Sequence, residues 1–228
     1  MLARTARYFC SAVPSGTRPA MPAAGAAAAR AGFDGSVTRL NEMFKHNEQF
    51  VASGAYKQYA VSSSSASSAR CVIVTCMDSR LTHLLPAALN IKQGDAKIIK
   101  TAGAILSHPF GGIMRSIIVA LYELRASEVF VIGHDDCGMR MVDPAATKQK
   151  MLDAGVPEHR LQVLESAGVD VNKWLKGFVS LDESVLAASE VVRNHPLVPP
   201  GLRVSGLIIN PTTGAVRLAA SGNGHKHV

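Results

Sequence analysis

The chain has 228 residues, of which 47% are apolar and 18% charged, enough for one domain with a sizeable core plus an extension. Its formal charge of +7 falls to +3 once Arg4, Arg7, Arg18 and Arg30, all preceding the first acidic residue Asp34, are set aside. What remains is too little and too scattered to suit nucleic acid. No apolar run approaches bilayer length, so a soluble protein with no membrane partner is expected, and four cysteines in a chain this long do not make a disulfide framework.

Residues 1–32 contain no Asp or Glu and many Ala, Ser and Arg. On a helix, Leu2, Ala6, Phe9 and Val13 share one face, with Arg4 and Arg7 roughly opposite. That pattern matches a mitochondrial transit peptide, and mitochondrial localisation is the expectation. The alternative is a disordered Ala-rich extension on a cytoplasmic protein, and Met21 could start a shorter cytosolic product. A single α/β domain is expected over residues 33–228.

Within that domain, Val37, Leu40, Met43, Phe44 and Phe50-Val51 recur at helical spacing, with Ser36 as the N-cap. Residues 62–68 form a Ser-rich linker. A strand over 70–75 precedes a short helix near 82–89; a strand over 96–100 precedes a helix from Pro109, placed in its first turn, to about Arg125. A third strand, 128–133, leads into a polar helix-and-loop stretch from about 140 to 180, in which Trp174 and Phe178 are expected to act as anchors. A helix follows from Asp182, at or near its N-cap, to Arg193, and Arg203–Asn210 and Ala215–Ala219 read as a hairpin across Pro211-Thr212-Thr213-Gly214. Strands alternating with helices predict an α/β fold with a mainly parallel sheet and helices on both faces.

The chemistry gathers at two turns. Cys76-Met77-Asp78-Ser79-Arg80 follows the β-branched run Cys71–Thr75, and His134-Asp135-Asp136-Cys137-Gly138 follows Glu128–Gly133. Both runs read as fully buried strands, so both turns belong at strand C-termini, where ligands bind in open α/β sheets. Two thiolates and an imidazole make a three-ligand zinc set with a fourth position to fill. The two strands must be adjacent for Cys76, His134 and Cys137 to converge. Asp78 could close that fourth position, or Arg80 could hold Asp78 in a bidentate pair and leave it to orient a water on the metal. Asp135 and Asp136 read as a capping or solvated pair, with orientation of His134 as the alternative. His108 reads as a cap near the 101–104 loop, or else as a proton relay. His83, His159 and His195 have no second ligand type at metal spacing, and His225 and His227 lie in a glycine-containing tail.

Cys-x-Asp-x-Arg after one strand and His-x-x-Cys-Gly after another resemble the β-class carbonic anhydrases. Thr101-Ala102-Gly103-Ala104 sits where that family has an Ala-Gly loop, and Gly206-Leu207-Ile208 with Thr213-Gly214 is similar to the closing hairpin of its compact, archaeal-like branch. The resemblance covers about residues 36–220. It implies a five-stranded sheet with a parallel core and an antiparallel C-terminal edge, and a homodimer or homotetramer. It also implies one zinc ion per subunit on Cys76, His134 and Cys137, with Asp78 and Arg80 as the catalytic dyad. The activity implied is reversible hydration of carbon dioxide to bicarbonate by attack of zinc-bound hydroxide. A hydrolase of carbon disulfide or carbonyl sulfide on the same scaffold and a non-catalytic zinc protein are the alternatives. One departure stands out: Lys100-Thr101 replaces the family's frequent Arg-Asn, which keeps the charge but loses the guanidinium fork.

Overall fold

A computed structural model describes residues 36–59 and 70–220. The extension at 1–32, the Ser-rich linker and the tail with His225 and His227 lie outside the described residues, as does the side chain of Ser36 assigned as a cap. Helix α1 (Ser36–Ala52) runs into a short 3-10 turn, Ala55–Tyr59. The body then follows as β1 (Cys71–Cys76), α2 (Leu81–Ala88), β2 (Ala96–Thr101), α3 (Gly112–Tyr122) and β3 (Glu128–His134). After these come α4 (Pro144–Asp153), α5 (Glu158–Ser166), α6 (Val171–Leu175), α7 (Leu181–Arg193), β4 (Arg203–Ile209) and β5 (Val216–Leu218).

The five strands form one sheet in the order β2-β1-β3-β4-β5, parallel except for the antiparallel β4–β5 pair. The expected α/β class, parallel core and antiparallel C-terminal edge are all present. The strands β1 and β3 are central and read as unbroken apolar runs because both of their faces are covered. Edge strand β2 instead alternates in burial and carries Lys97 and Lys100. Alternate residues of the central strands serve opposite layers. Val72, Val74, Val129 and Val131 pack with Met114 and Ile117 of α3 and with Val185, Ala188 and Val192 of α7. Ile73, Ile132 and Ile209 pack with Leu81 and Leu85 of α2 on the other face. Gly133 and Gly206 let α7 lie close to the sheet, since a Cβ at either would come within 2.7 or 2.9 Å of a Val185 methyl.

Register fixes the site. Cys71 pairs with Glu128 and Thr75 with Ile132, so β1 and β3 run side by side and end at the same level. The chain leaves β1 toward β2 on one side, and β3 enters on the other, which opens a crevice between their C-terminal ends. The convergence required of the two turns is therefore built into the strand order.

Local details differ from expectation in two places. Helix α3 starts at Gly112 with Gly111 as its N-cap, not at Pro109, because His108 Nδ1 accepts the Phe110 N–H at 3.0 Å and holds Pro109-Phe110 in a turn outside the helix. Ser180 caps α7, its hydroxyl accepting the Glu183 N–H at 3.3 Å, and Asp182 lies near the cap in the first turn, as expected. The Asp182 carboxylate is paired with Arg217 of β5 at 2.6 and 2.9 Å. In the 140–180 stretch, which forms three helices, Phe178 packs on the core but Trp174 is largely exposed.

Candidate metal centre

Cys76 is the last residue of β1 and His134 the last of β3, while Cys137 stands three residues beyond His134 at the start of a 3-10 turn, Gly138–Met141. All three are buried, and Cys76 Sγ, Cys137 Sγ and a ring nitrogen of His134 lie within 4.8 Å of one another. The two sulfurs are 3.9 Å apart. No other group of three or more such side chains that could hold a metal occurs among the described residues.

The imidazole is oriented by its own loop. His134 Nδ1 is 2.7 Å from the Asp135 carbonyl oxygen, which can only accept, so Nδ1 carries the hydrogen and Nε2 the lone pair. Nε2 is fully buried and has no hydrogen-bond partner. A buried acceptor with no hydrogen-bond partner, within 4.8 Å of two cysteine sulfurs, fits the role of a metal ligand. The residue that orients His134 is thus Asp135, through its backbone rather than its carboxylate.

The thiols make the same point electrostatically. Burial pushes the Cys76 thiol up, but the neighbouring His134 and the backbone amides of Asp78 and Gly103 outweigh it and leave the group at about 7. Burial and the charge of Cys76 drive Cys137 up to about 11. Two thiolates at 3.9 Å cannot both form without a cation between them. A divalent metal supplies that cation and holds both sulfurs deprotonated, so the donor set fits zinc. The Gly103 amide is a contact that spacing alone did not reveal. Gly103 has φ 70°, and a Cβ there would meet the Met139 side chain at 2.9 Å, so the loop that brings its N–H to the sulfur requires glycine.

Of the two arrangements open to Asp78, the structure has the one in which Arg80 holds it. Arg80 Nε donates to Oδ1 at 3.1 Å and Nη2 to Oδ2 at 2.9 Å, with the Arg80 backbone N–H on Oδ1 at 2.9 Å. The guanidinium also donates to the Asp136 carbonyl at 3.2 Å, tying the first turn to the second. These bonds hold the Asp78 carboxyl down at about 2. Its Oδ2 is 3.8 Å from His134 Nε2, beside the three donor atoms. Lys100 does not reach the dyad; its ammonium donates to the Thr82 hydroxyl at 2.8 Å. His83 and His159 are exposed, and His195 is buried elsewhere.

A family model described as carbonic anhydrase matches residues 71–216, a span that contains both turns, the Ala-Gly loop and the whole sheet up to Val216. The chain belongs to the β-carbonic anhydrase family. Members of this β-carbonic anhydrase family are zinc-dependent. "Putative carbonic anhydrase YvdA" of Bacillus subtilis is 46% identical over 80% of this chain and 92% of its own length. The crystal structure of β-carbonic anhydrase isoform I of Trichomonas vaginalis is 29% identical, superposes with a TM-score of 0.70, and is covered over 98% of its length by 80% of this chain. A carbon disulfide hydrolase of Saccharolobus solfataricus is 32% identical over 64% of this chain and 74% of its own length. Among the described residues, no helix is long and apolar enough to cross a membrane.

Proposed function

We propose that this protein catalyses the reversible hydration of carbon dioxide to bicarbonate, with one zinc ion per subunit held by Cys76, His134 and Cys137. The observation that carries the reading is the convergence of two sulfurs and an unpartnered imidazole nitrogen beside a carboxylate fixed by an arginine. Zinc bound there supplies acidification of a water molecule, making a nucleophile available near neutral pH. The remaining work belongs to the chain. Asp135 keeps the lone pair of His134 on Nε2, and Gly103 helps hold Cys76 as thiolate. Arg80 neutralises and aims Asp78, and Asp78, ionised at any physiological pH, accepts a hydrogen bond from the nucleophilic water and orients it toward the carbon of the substrate.

Stopped-flow hydration of carbon dioxide by the zinc-loaded full chain tests this directly. No rate above buffer between about pH 7 and 9 overturns the reading. Hydrolysis of carbon disulfide is the second reading, favoured by the 32% identity to an enzyme of that name. Release of hydrogen sulfide from carbon disulfide, in the absence of carbon dioxide turnover, selects it.

A homodimer or homotetramer belongs to the same proposal. It is supported by α1, whose Met43, Phe44 and Val51 are more than half exposed. Light scattering on the purified chain decides it. Mitochondrial import through residues 1–32 is likewise proposed, from the absence of acidic residues there. A fusion of that segment to a reporter that stays in the cytosol refutes it.

A further inference from the structure

The turn that carries two of the three donors contains one residue in a conformation that few side chains adopt. Asp136, between His134 and Cys137, has φ 55°. A residue other than glycine in the left-handed region is uncommon; aspartate and asparagine are enriched there, and a β-branched side chain is strongly disfavoured. Asp136 is exposed, and its carboxylate forms no ion pair or hydrogen bond with another described side chain. What the side chain holds therefore does not account for the conformation. What the backbone holds does.

Two successive carbonyls of this turn serve the site. That of Asp135 accepts the His134 Nδ1–H at 2.7 Å, and that of Asp136 accepts from Arg80 Nη2 at 3.2 Å. The Asp135 N–H donates to the Ile209 carbonyl at 3.1 Å, so β4 pins the start of the turn, and the left-handed step at Asp136 follows. Arg80 Nη2 has two hydrogens. One goes to Asp78 Oδ2 at 2.9 Å and the other to the Asp136 carbonyl. Oδ1 is held independently, by the Arg80 backbone N–H at 2.9 Å. Oδ2, the oxygen 3.8 Å from His134 Nε2, is held by the guanidinium alone. The Arg80 side chain is 46% exposed, and the Asp136 carbonyl is its one hydrogen-bonded anchor beyond Asp78 among the described residues.

We propose that Asp136 is a positioning residue for the dyad and acts through its backbone. Its left-handed conformation presents the carbonyl to Arg80 Nη2, which fixes the plane of the guanidinium and, through it, the place of Asp78 Oδ2. Aspartate serves here because it accepts the conformation, not because of its charge. The inference rests on the part proposed for Asp78 in turnover.

Side-chain nitrogen spectra of Arg80 in the zinc-loaded full chain test the assignment without reference to turnover. A guanidinium held at Nε and at both Nη2 hydrogens should rotate slowly about its Nε–Cζ bond and give separate Nη resonances in the parent. Asp136→Ile should average those resonances and lower kcat for carbon dioxide about tenfold, with zinc content unchanged. The conservative variants Asp136→Asn and Asp136→Gly, which accept the conformation, should restore the separate resonances and most of the turnover that Asp136→Ile loses. In an Arg80→Ala background, Asp136→Ile should add no further loss. A freely rotating Arg80 in the parent overturns the proposal, so misfolding of Asp136→Ile does not decide it. Parental spectra and turnover in Asp136→Ile overturn it equally. A loss in Asp136→Asn as large as in Asp136→Ile assigns the effect to the carboxylate charge and overturns the backbone role. A held Arg80 that averages in Asp136→Ile supports the positioning even in a chain that hydrates no carbon dioxide; that result refutes the activity alone.

Discussion

His134 and His195 are the two buried histidines among the described residues, and in both Nε2 lacks a hydrogen-bond partner. Their Nδ1 atoms are used in opposite senses. His134 Nδ1 donates to the Asp135 carbonyl, which leaves a lone pair on Nε2; His195 Nδ1 accepts from the Leu197 amide, which leaves a hydrogen there. One ring therefore offers an electron pair beside two sulfurs and suits a soft cation, and the other keeps its hydrogen there and has no lone pair for a metal. The difference teaches that burial of a histidine does not state its chemistry. The backbone group that engages the far nitrogen does.

The largest expected effect of breaking this contrast lies at the first ring. Cys76→Ser or His134→Ala should reduce bound zinc from one per subunit toward none and abolish activity, by about a thousandfold or more. Metal analysis beside stopped-flow rates checks it, and a variant that keeps full zinc removes that residue from the ligand set. Asp78→Asn should sharpen the separation of holding from reacting: zinc is mostly retained while turnover falls about a hundredfold. Full turnover in that variant would falsify the role of the dyad.

A smaller effect is expected at a charge pair that lines the same cavity as His134. Asp182 is held below the ordinary carboxylate range by its hydrogen bonds with Arg217, which outweigh the opposing effect of burial, with a lesser contribution from the Ala220 amide. A lowered folded-state pKa means that the pair stabilises the fold above the unfolded carboxylate range and loses that contribution as the pH falls through the folded value. Arg217 is half exposed, so solvent screening limits the stabilisation to about 0.5–1 kcal/mol. Arg217→Gln should be less stable than the parent at pH 7 by that amount, with the gap closing as the pH drops below the unfolded range. A gap that widens in acid reverses the sign. The smallest effect is expected of His195→Phe on metal content: one zinc per subunit, as in the parent, by atomic absorption. Loss of zinc there would show that the two buried rings are not independent.

Much of this arrangement was legible in the residues. The unbroken apolar runs of β1 and β3 mark strands covered on both faces, and the turns that follow carry ligand types that have few other uses together. The Asp78–Arg80 pairing was one of two arrangements that their residue types and spacing allow. Boundaries fared less well where a local hydrogen bond outcompetes composition. His108 draws Pro109 and Phe110 out of α3. Trp174 differs for another reason: aromatic content signals burial only where a surface covers the ring, and Trp174 is 64% exposed.

The sequence by itself determined the donor set, the strand–helix alternation and the family resemblance, because these rest on residue type and short-range spacing. Tertiary structure decided that strands ending 58 residues apart at Cys76 and His134 lie adjacent and level. It also decided that Asp78 gives both oxygens to Arg80, and that Gly103, just past the next strand in the chain, reaches the Cys76 sulfur. Above all it set the tautomers of His134 and His195. Each depends on whether a carbonyl or an amide of the following turn faces Nδ1, and backbone direction in a turn is fixed by the packing around it, not by the identity of the histidine.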